Sequence, residues 1–260
     1  MDELLSASYA DERRRLVGAE ASDELRPGRP GGRVPRLPGW ASDPRGSRAS
    51  RPAHGESAFP APSEPGRRDT SHVDVADRFG NLVSATPSGG WLQSSPAIEE
   101  LGFCLGTRAQ MFWLEQGLAS SLSPGRRPRT TLSPSLALRD GEPYLAFGTP
   151  GGDQQDQWPL LFLLYHVDFG LDLQAAVDAA NWHTTHPPSS FYPRGSELAG
   201  LHAEASLGED VLDELRRRGH VVTREPAFSQ GRVTAVGRGT GGLLRAAADA
   251  RGAQAYAVGR

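Results

Sequence analysis

The chain has 260 residues, 37% of them hydrophobic, and a net charge of −3; this suits a folded globular protein and lacks the basic excess expected of a nucleic-acid binder. All 28 basic residues are Arg, and without a Lys there is no Schiff-base lysine, no Ser-Lys pair and no GK[ST] phosphate loop. The one cysteine, Cys104, permits neither an internal disulfide nor a thiolate metal site, and its apolar flanks "LGFCLGT" suit a buried structural thiol.

In chain order, "MDELLSASYADERRRLV" begins acidic, unlike a signal peptide, and predicts an amphipathic helix with Leu4, Leu5 and Leu16 on one face. Residues 1–25 therefore read as a helical arm, and the default location is cytoplasmic. Residues 26–69 hold nine of the 21 prolines among Gly, Ser and Arg, too little apolar surface to offset the entropy of ordering; they read as a linker. From Thr70 onward the texture is that of a folded domain, 70–260. "HVDVAD" and "LVSAT" form a hairpin turned at Gly80-Asn81, "AQMFWLEQGL" has helical spacing, and "SPSLALRDGEPYLAFGTPGG" forms a second hairpin turned at Asp140-Gly141.

Two helices follow, "DQQDQWPLLFLLYHVDFG" and "DLQAAVDAANWHT", the first with Asp153 near its start and Pro159 imposing a kink or a late start. Its apolar run "LLFLLY", residues 160–165, is too short to span a membrane. "GEDVLDELRRRGHVV" predicts a helix closed by Gly219 and leading into a strand; "GRVTAVGRG" and "AQAYAVG" predict final strands. Hairpins alternating with helix pairs argue for an α+β fold, an antiparallel sheet covered by helices.

Two motifs point to chemistry that the rest of the chain does not support. Gly237, Gly239 and Gly242 satisfy GxGxxG between a strand and a possible helix, but no later strand ends in a ribose-binding acid, so a glycine-rich turn is the better account. His183 and His186 stand three apart where Pro187 and Pro188 end a helix, with no carboxylate to complete a ligand set, so they read as structural histidines and no metal or other cofactor is expected.

Thr70 is different. A hydroxyl on the first residue of a strand is rigidly mounted. Were the bond before it cut, the same residue would carry a free α-amine of pKa about 7.7–8.0, a base beside a nucleophile. Ser88, on the partner strand, could orient that hydroxyl, and "TPGG" offers the N–H groups of Gly151 and Gly152 to an oxyanion.

"DTSHVDVADRFGNLVSATPS", "RPRTTLSPSLALRDGEPYLAFGTPGG" and "FGLDLQAAVDAANWH" together resemble the γ-glutamyltransferase family of N-terminal nucleophile hydrolases, in order and over almost the whole chain. The resemblance implies an αββα sandwich, only partly complete in this chain, made from a precursor that cuts itself into large and small subunits. It implies a cut between Asp69 and Thr70, Thr70 as nucleophile followed by Ser71 and His72, Ser88 as its supporting hydroxyl, Gly151 and Gly152 at the oxyanion, and Thr130 and Thr131 as the hydroxyl pair for a substrate α-carboxylate. Residues 1–69 would match the tail of a large subunit, so the rest of that subunit is the implied partner.

The chain departs from the family where the substrate amino group is held. The Asn expected there is Gly90, and the acidic stretch aligns with "GTRAQMF", residues 106–112, which has no carboxylate. An amide hydrolase or transpeptidase acting on a γ-glutamyl compound or another small amide is expected. The alternative is a non-catalytic remnant, or a small subunit needing a separately encoded partner. An exposed apolar surface is expected where the absent layers would lie.

Overall fold

The computed structural model describes residues 2–39, 70–90, 95–191, 194–251 and 255–259. Most of the expected linker, including Asp69, lies outside them. In chain order the elements are α1 (Ala7–Arg14), β1 (Val73–Ala76), β2 (Leu82–Ala85), β3 (Ala97–Ile98), β4 (Phe103–Cys104), β5 (Ser135–Arg139), β6 (Glu142–Gly148), α2 (Trp158–Val167), α3 (Leu173–Asp178), β7 (Trp182–Thr184), β8 (Gly200–Glu204), α4 (Glu209–Arg217), β9 (Val221–Glu225), β10 (Thr234–Arg238) and β11 (Leu244–Ala248).

Both expected hairpins form. The β1–β2 turn is held by Asp77, whose carboxylate accepts from the N–H groups of Phe79 (2.8 Å) and Asn81 (2.9 Å), while Gly80 takes the positive φ of 92°. The β5–β6 turn places Asp140 and Gly141 at φ 55° and 83°, the left-handed pair that a two-residue hairpin loop requires.

β6 anchors an antiparallel sheet of order β11-β10-β6-β5. One face carries Leu145, Phe147, Ala235 and Ala247 into the core, against Trp158 and Phe162 of α2 and Leu173, Ala176 and Val177 of α3. Burying each large side chain contributes roughly 1.5–3 kcal/mol. Pro159 sits in the first turn of α2, where its missing N–H costs nothing, so the outcome is a late start and not a kink. A short 3-10 segment, Gly152–Asp156, precedes it.

The β1–β2 hairpin lies across the other face of this sheet, β1 over β6 and β10 and β2 over β5 and β6. Its polar side chains point inward: Ser84 Oγ donates to Phe147 O (3.1 Å), and Asp74 accepts from Thr234 Oγ1 (2.7 Å). Val73, Val75 and Val83 consequently face outward, each about half exposed at 49%, 49% and 52%. The three valines form an exposed apolar strip on the hairpin. The described residues thus stack as hairpin, sheet and helices, and contribute no second helical layer. A separate sheet pairs β7 antiparallel and β9 parallel to β8, with α4 against β9 and Leu212 fully buried beneath it.

Five local expectations fail. Residues 109–118 form no helix beyond a 3-10 turn at Arg108–Met111: the backbone turns extended at Phe112 (ψ 145°), and Met111 and Leu118 are buried without a helix. The second helix stops at Asp178, since Trp182–Thr184 is drawn into register with β8. "AQAYAVG" is not a strand where it is described, at residues 255–259: the place beside β10 is taken by β11, where a helix was possible. α1 is only eight residues long, so Leu4, Leu5 and Leu16 lie outside it and are exposed. Cys104 is half-buried and not fully so. No helix among the described residues is long and apolar enough to cross a membrane.

Candidate active site

Thr70 is the first described residue of the domain and is bridged antiparallel to Ser88; Ser71 N–H donates to Pro87 O at 3.0 Å. The two side chains meet, with Thr70 Oγ1 2.6 Å from Ser88 Oγ. This is the contact that the strand pattern anticipated. Arg108, unremarked in the sequence, also reaches Ser88, its Nη2 donating to Ser88 Oγ at 2.5 Å.

Beneath Thr70, the side chains of His72 and Asp74 are each 1% exposed. His72 Nδ1 pairs with Thr86 Oγ1 (2.6 Å) and Nε2 with the Asp74 carboxylate (3.0 Å), which is held in turn by Thr234. The His72 ring lies against Gly148, where an added Cβ would come within 2.3 Å of it. The chain runs from Gly148 directly into Thr149-Pro150-Gly151-Gly152, so this buried network ties the Thr70 strand to the glycine loop. The inward-facing polar positions of β1 were a readable signal for it, since they put apolar residues on the opposite face.

Gly151 and Gly152 are buried at φ 145° and 58°, and a Cβ on Gly151 would meet Trp158 at 2.4 Å, so only glycine fits there. With its amide oriented to satisfy both ends, the buried Gln155 donates to Thr149 O (3.0 Å) and accepts from Gly152 N–H (3.2 Å). The Gly152 donor is therefore engaged in the resting molecule.

Thr130 and Thr131 behave differently. Thr130 is exposed, and its Oγ1 accepts from Leu132 N–H (3.1 Å). Thr131 is buried, and its Oγ1 has no partner among the described residues. Arg129 brings this segment to the glycine loop through a 4.0 Å contact with Asp153. A small cleft of about 100 Å³ between Arg129, Asp153 and Ser189 lies beside both. A larger cleft of about 570 Å³, lined by Arg139, Tyr144, His166 and the motif glycines Gly237, Gly239 and Gly242, contains none of the candidate catalytic or substrate-binding residues. The GxGxxG segment turns directly from β10 into β11, with no helix after it.

His183 and His186 serve separate structures. His186 accepts from Ala199 N–H (2.9 Å). His183 is 2% exposed, stacked on His202 at 5.0 Å and edge-on to Trp158 at 5.4 Å. Among the described residues no cluster of three His, Cys, Asp or Glu is placed to hold a metal ion.

Burial, aided by the neighbouring His202, pushes the His183 imidazole down to about 3. Below pH ~6.5 the unfolded chain therefore takes up a proton that the fold refuses. Stability should fall as pH drops from about 6.5 towards 3, by up to about 1.4 kcal/mol per pH unit from this group. The raised Asp249 carboxyl contributes a slope of opposite sign below pH about 6. The His183 contribution is therefore read as the difference in urea midpoint between the wild type and His183→Phe, which should change between pH 7.5 and 5. A difference that is the same at both pH values would refute the assignment.

A family model described as gamma-glutamyltranspeptidase matches residues 1–259. The chain is 30% identical over 246 residues to the acylase ACY 1 proenzyme of Pseudomonas sp. (strain SE83), a match covering 94% of this chain and 36% of that protein. A solved structure named LmbA2991HD is 56% identical with a TM-score of 0.81, covering all of this chain and 43% of the other. The gamma-glutamyltranspeptidase from Pseudomonas nitroreducens complexed with L-DON is 28% identical with a TM-score of 0.57, over 74% of this chain and 98% of the other. The chain spans between 23% and 37% of the length of the curated relatives it matches.

Proposed function

Because the chain belongs to the gamma-glutamyltranspeptidase family and has the mixed helix-and-sheet fold of these N-terminal nucleophile hydrolases, we propose that it is the catalytic small-subunit part of an amide hydrolase or acyl transferase with Thr70 as nucleophile. The observation that carries this reading is the 2.6 Å contact between Thr70 Oγ1 and Ser88 Oγ on the opening residues of a hairpin braced by His72 and Asp74.

In this reading Thr70 Oγ1 first attacks the Asp69 carbonyl carbon. The peptide C–N bond breaks and the hydroxyl proton passes to the departing nitrogen, giving an ester and a free α-amine. Water then hydrolyses the ester, leaving the Asp69 carboxylate and the Thr70 hydroxyl. In turnover the α-amine takes the hydroxyl proton as Oγ1 attacks the substrate amide and returns it to the leaving amine. The N–H groups of Gly151 and Gly152 stabilise the oxyanion, Gly152 by exchanging its bond to Gln155 for one to substrate. Water or a second amine then accepts the acyl group from Thr70. The outward valines of the hairpin are where the large-subunit portion would cover the chain.

The test is mass spectrometry of the complete gene product during turnover of a chromogenic small amide. An acyl adduct on the peptide that begins at Thr70 is expected. Turnover with the adduct on any other residue would contradict the proposal.

A further inference from the structure

Thr70 and the glycine loop stand at the Gly148 end of β6, whereas the 570 Å³ cleft opens where that strand begins. The strand from Pro143 to Gly148 spans roughly 17 Å, which keeps the cleft clear of the acyl chemistry. Its floor is the bare backbone of the GxGxxG segment. A Cβ on Gly237 would fall 2.9 Å from Leu145 Cδ2 and 3.4 Å from Leu173 Cδ1, so a side chain there would crowd the floor.

Three guanidiniums surround that floor: Arg139 from β5, Arg238 from β10 and Arg245 from β11. None of them makes an ion pair among the described residues, although Asp140 and Glu142 also line the cleft. Arg139 lies instead over the Tyr144 ring, 3.7 Å from its centroid. Arg238 is packed on the β1–β2 turn, where a Cβ on Gly80 would come within 2.8 Å of its Nη1. The aromatic wall is fixed as well. His166 Nδ1 donates to Leu171 O (2.6 Å), so Nε2 accepts from the Tyr144 hydroxyl (2.6 Å).

Three like charges around one concavity repel one another and focus a positive field in it, which a bound anion relieves. A planar guanidinium matches phosphate oxygens two at a time, and the volume lies within the range of small-molecule sites. We propose that this cleft is a second binding site, for a small phosphate monoester. The two acids belong to the β5–β6 turn, so the phosphate sits at the β10–β11 turn, between Arg238 and Arg245. The compact apolar part of the ligand lies against Tyr144 and Leu173. The inference stands independently of the role of Thr70.

The test is calorimetric titration of the complete gene product with phenyl phosphate at low salt. One saturable site is expected, at least about 10-fold tighter than for inorganic phosphate or benzoate. Arg238→Gln and Arg245→Gln should each weaken it about 10-fold or more, and Arg245→Lys should restore part of the loss. Gly239 has an extended backbone, φ −90° and ψ −176°, that accepts a side chain. Gly239→Leu should therefore block the cleft with all three arginines in place. The urea midpoints of these variants should stay at the wild-type value. No saturable binding, binding that survives Gly239→Leu or the glutamine variants, or either control anion bound as tightly as phenyl phosphate would overturn the inference.

Discussion

Thr70→Ala should reduce turnover of any small amide by about 10⁴- to 10⁶-fold, the range seen when an enzyme loses its nucleophile. It should leave the fold in place. Thr70 is half-buried at the end of a hairpin, and removing its hydroxyl and methyl groups opens no large cavity, so the urea midpoint should move by less than about 1 kcal/mol equivalent. The same substitution should leave the backbone uncut, because one oxygen is assigned both events. Thr70→Ser keeps that oxygen and should retain part of both. Loss of turnover with the cut intact would separate the two roles and require another group to open the chain.

Arg251→Ala should have the largest effect on stability, about 3–5 kcal/mol, enough to remove a large part of the 5–15 kcal/mol typical of a folded domain. The guanidinium is buried and donates to Glu204 from Nε and Nη2, both at 2.9 Å, to Asp249 at 3.2 Å, and to the carbonyls of Val177 (2.9 Å) and Ala179 (2.8 Å). Glu204 accepts further from the N–H groups of Asn181, Ser229 and Gln230. One side chain thus fastens the chain after β11 to the end of α3, the end of β8 and the loop before β10. Its removal strands two buried carboxylates. Burial already pushes Asp249 up to about 6 with Arg251 in place, so it has little tolerance for that loss. By contrast, Arg217→Ala breaks an exposed pair with Glu214 on α4 and should leave the urea midpoint unchanged within error. Urea titration of both variants checks the contrast; equal effects would show that the buried network is not what holds the segment.

What the sequence made legible was local or motif-borne. The turn chemistry of Asp140-Gly141 and Gly80-Asn81 placed both hairpins, and the hairpin register put Ser88 opposite Thr70. What escaped depends on separation. Arg251 and Glu204 lie 47 positions apart, and Arg108 meets Ser88 across 20, with no periodicity to announce either pair. Helical spacing misled at residues 109–118 because burial of Met111 and Leu118 is met without a helix. Leu244–Ala248 read as a possible helix because alanine favours one, yet the free edge of β10 claims it as a strand.

The central claim is chemical and turns on one bond. N-terminal sequencing of the purified, active gene product should find a polypeptide beginning Thr-Ser-His-Val, released by scission ahead of Thr70. Full activity from a chain still continuous through that bond would contradict the account.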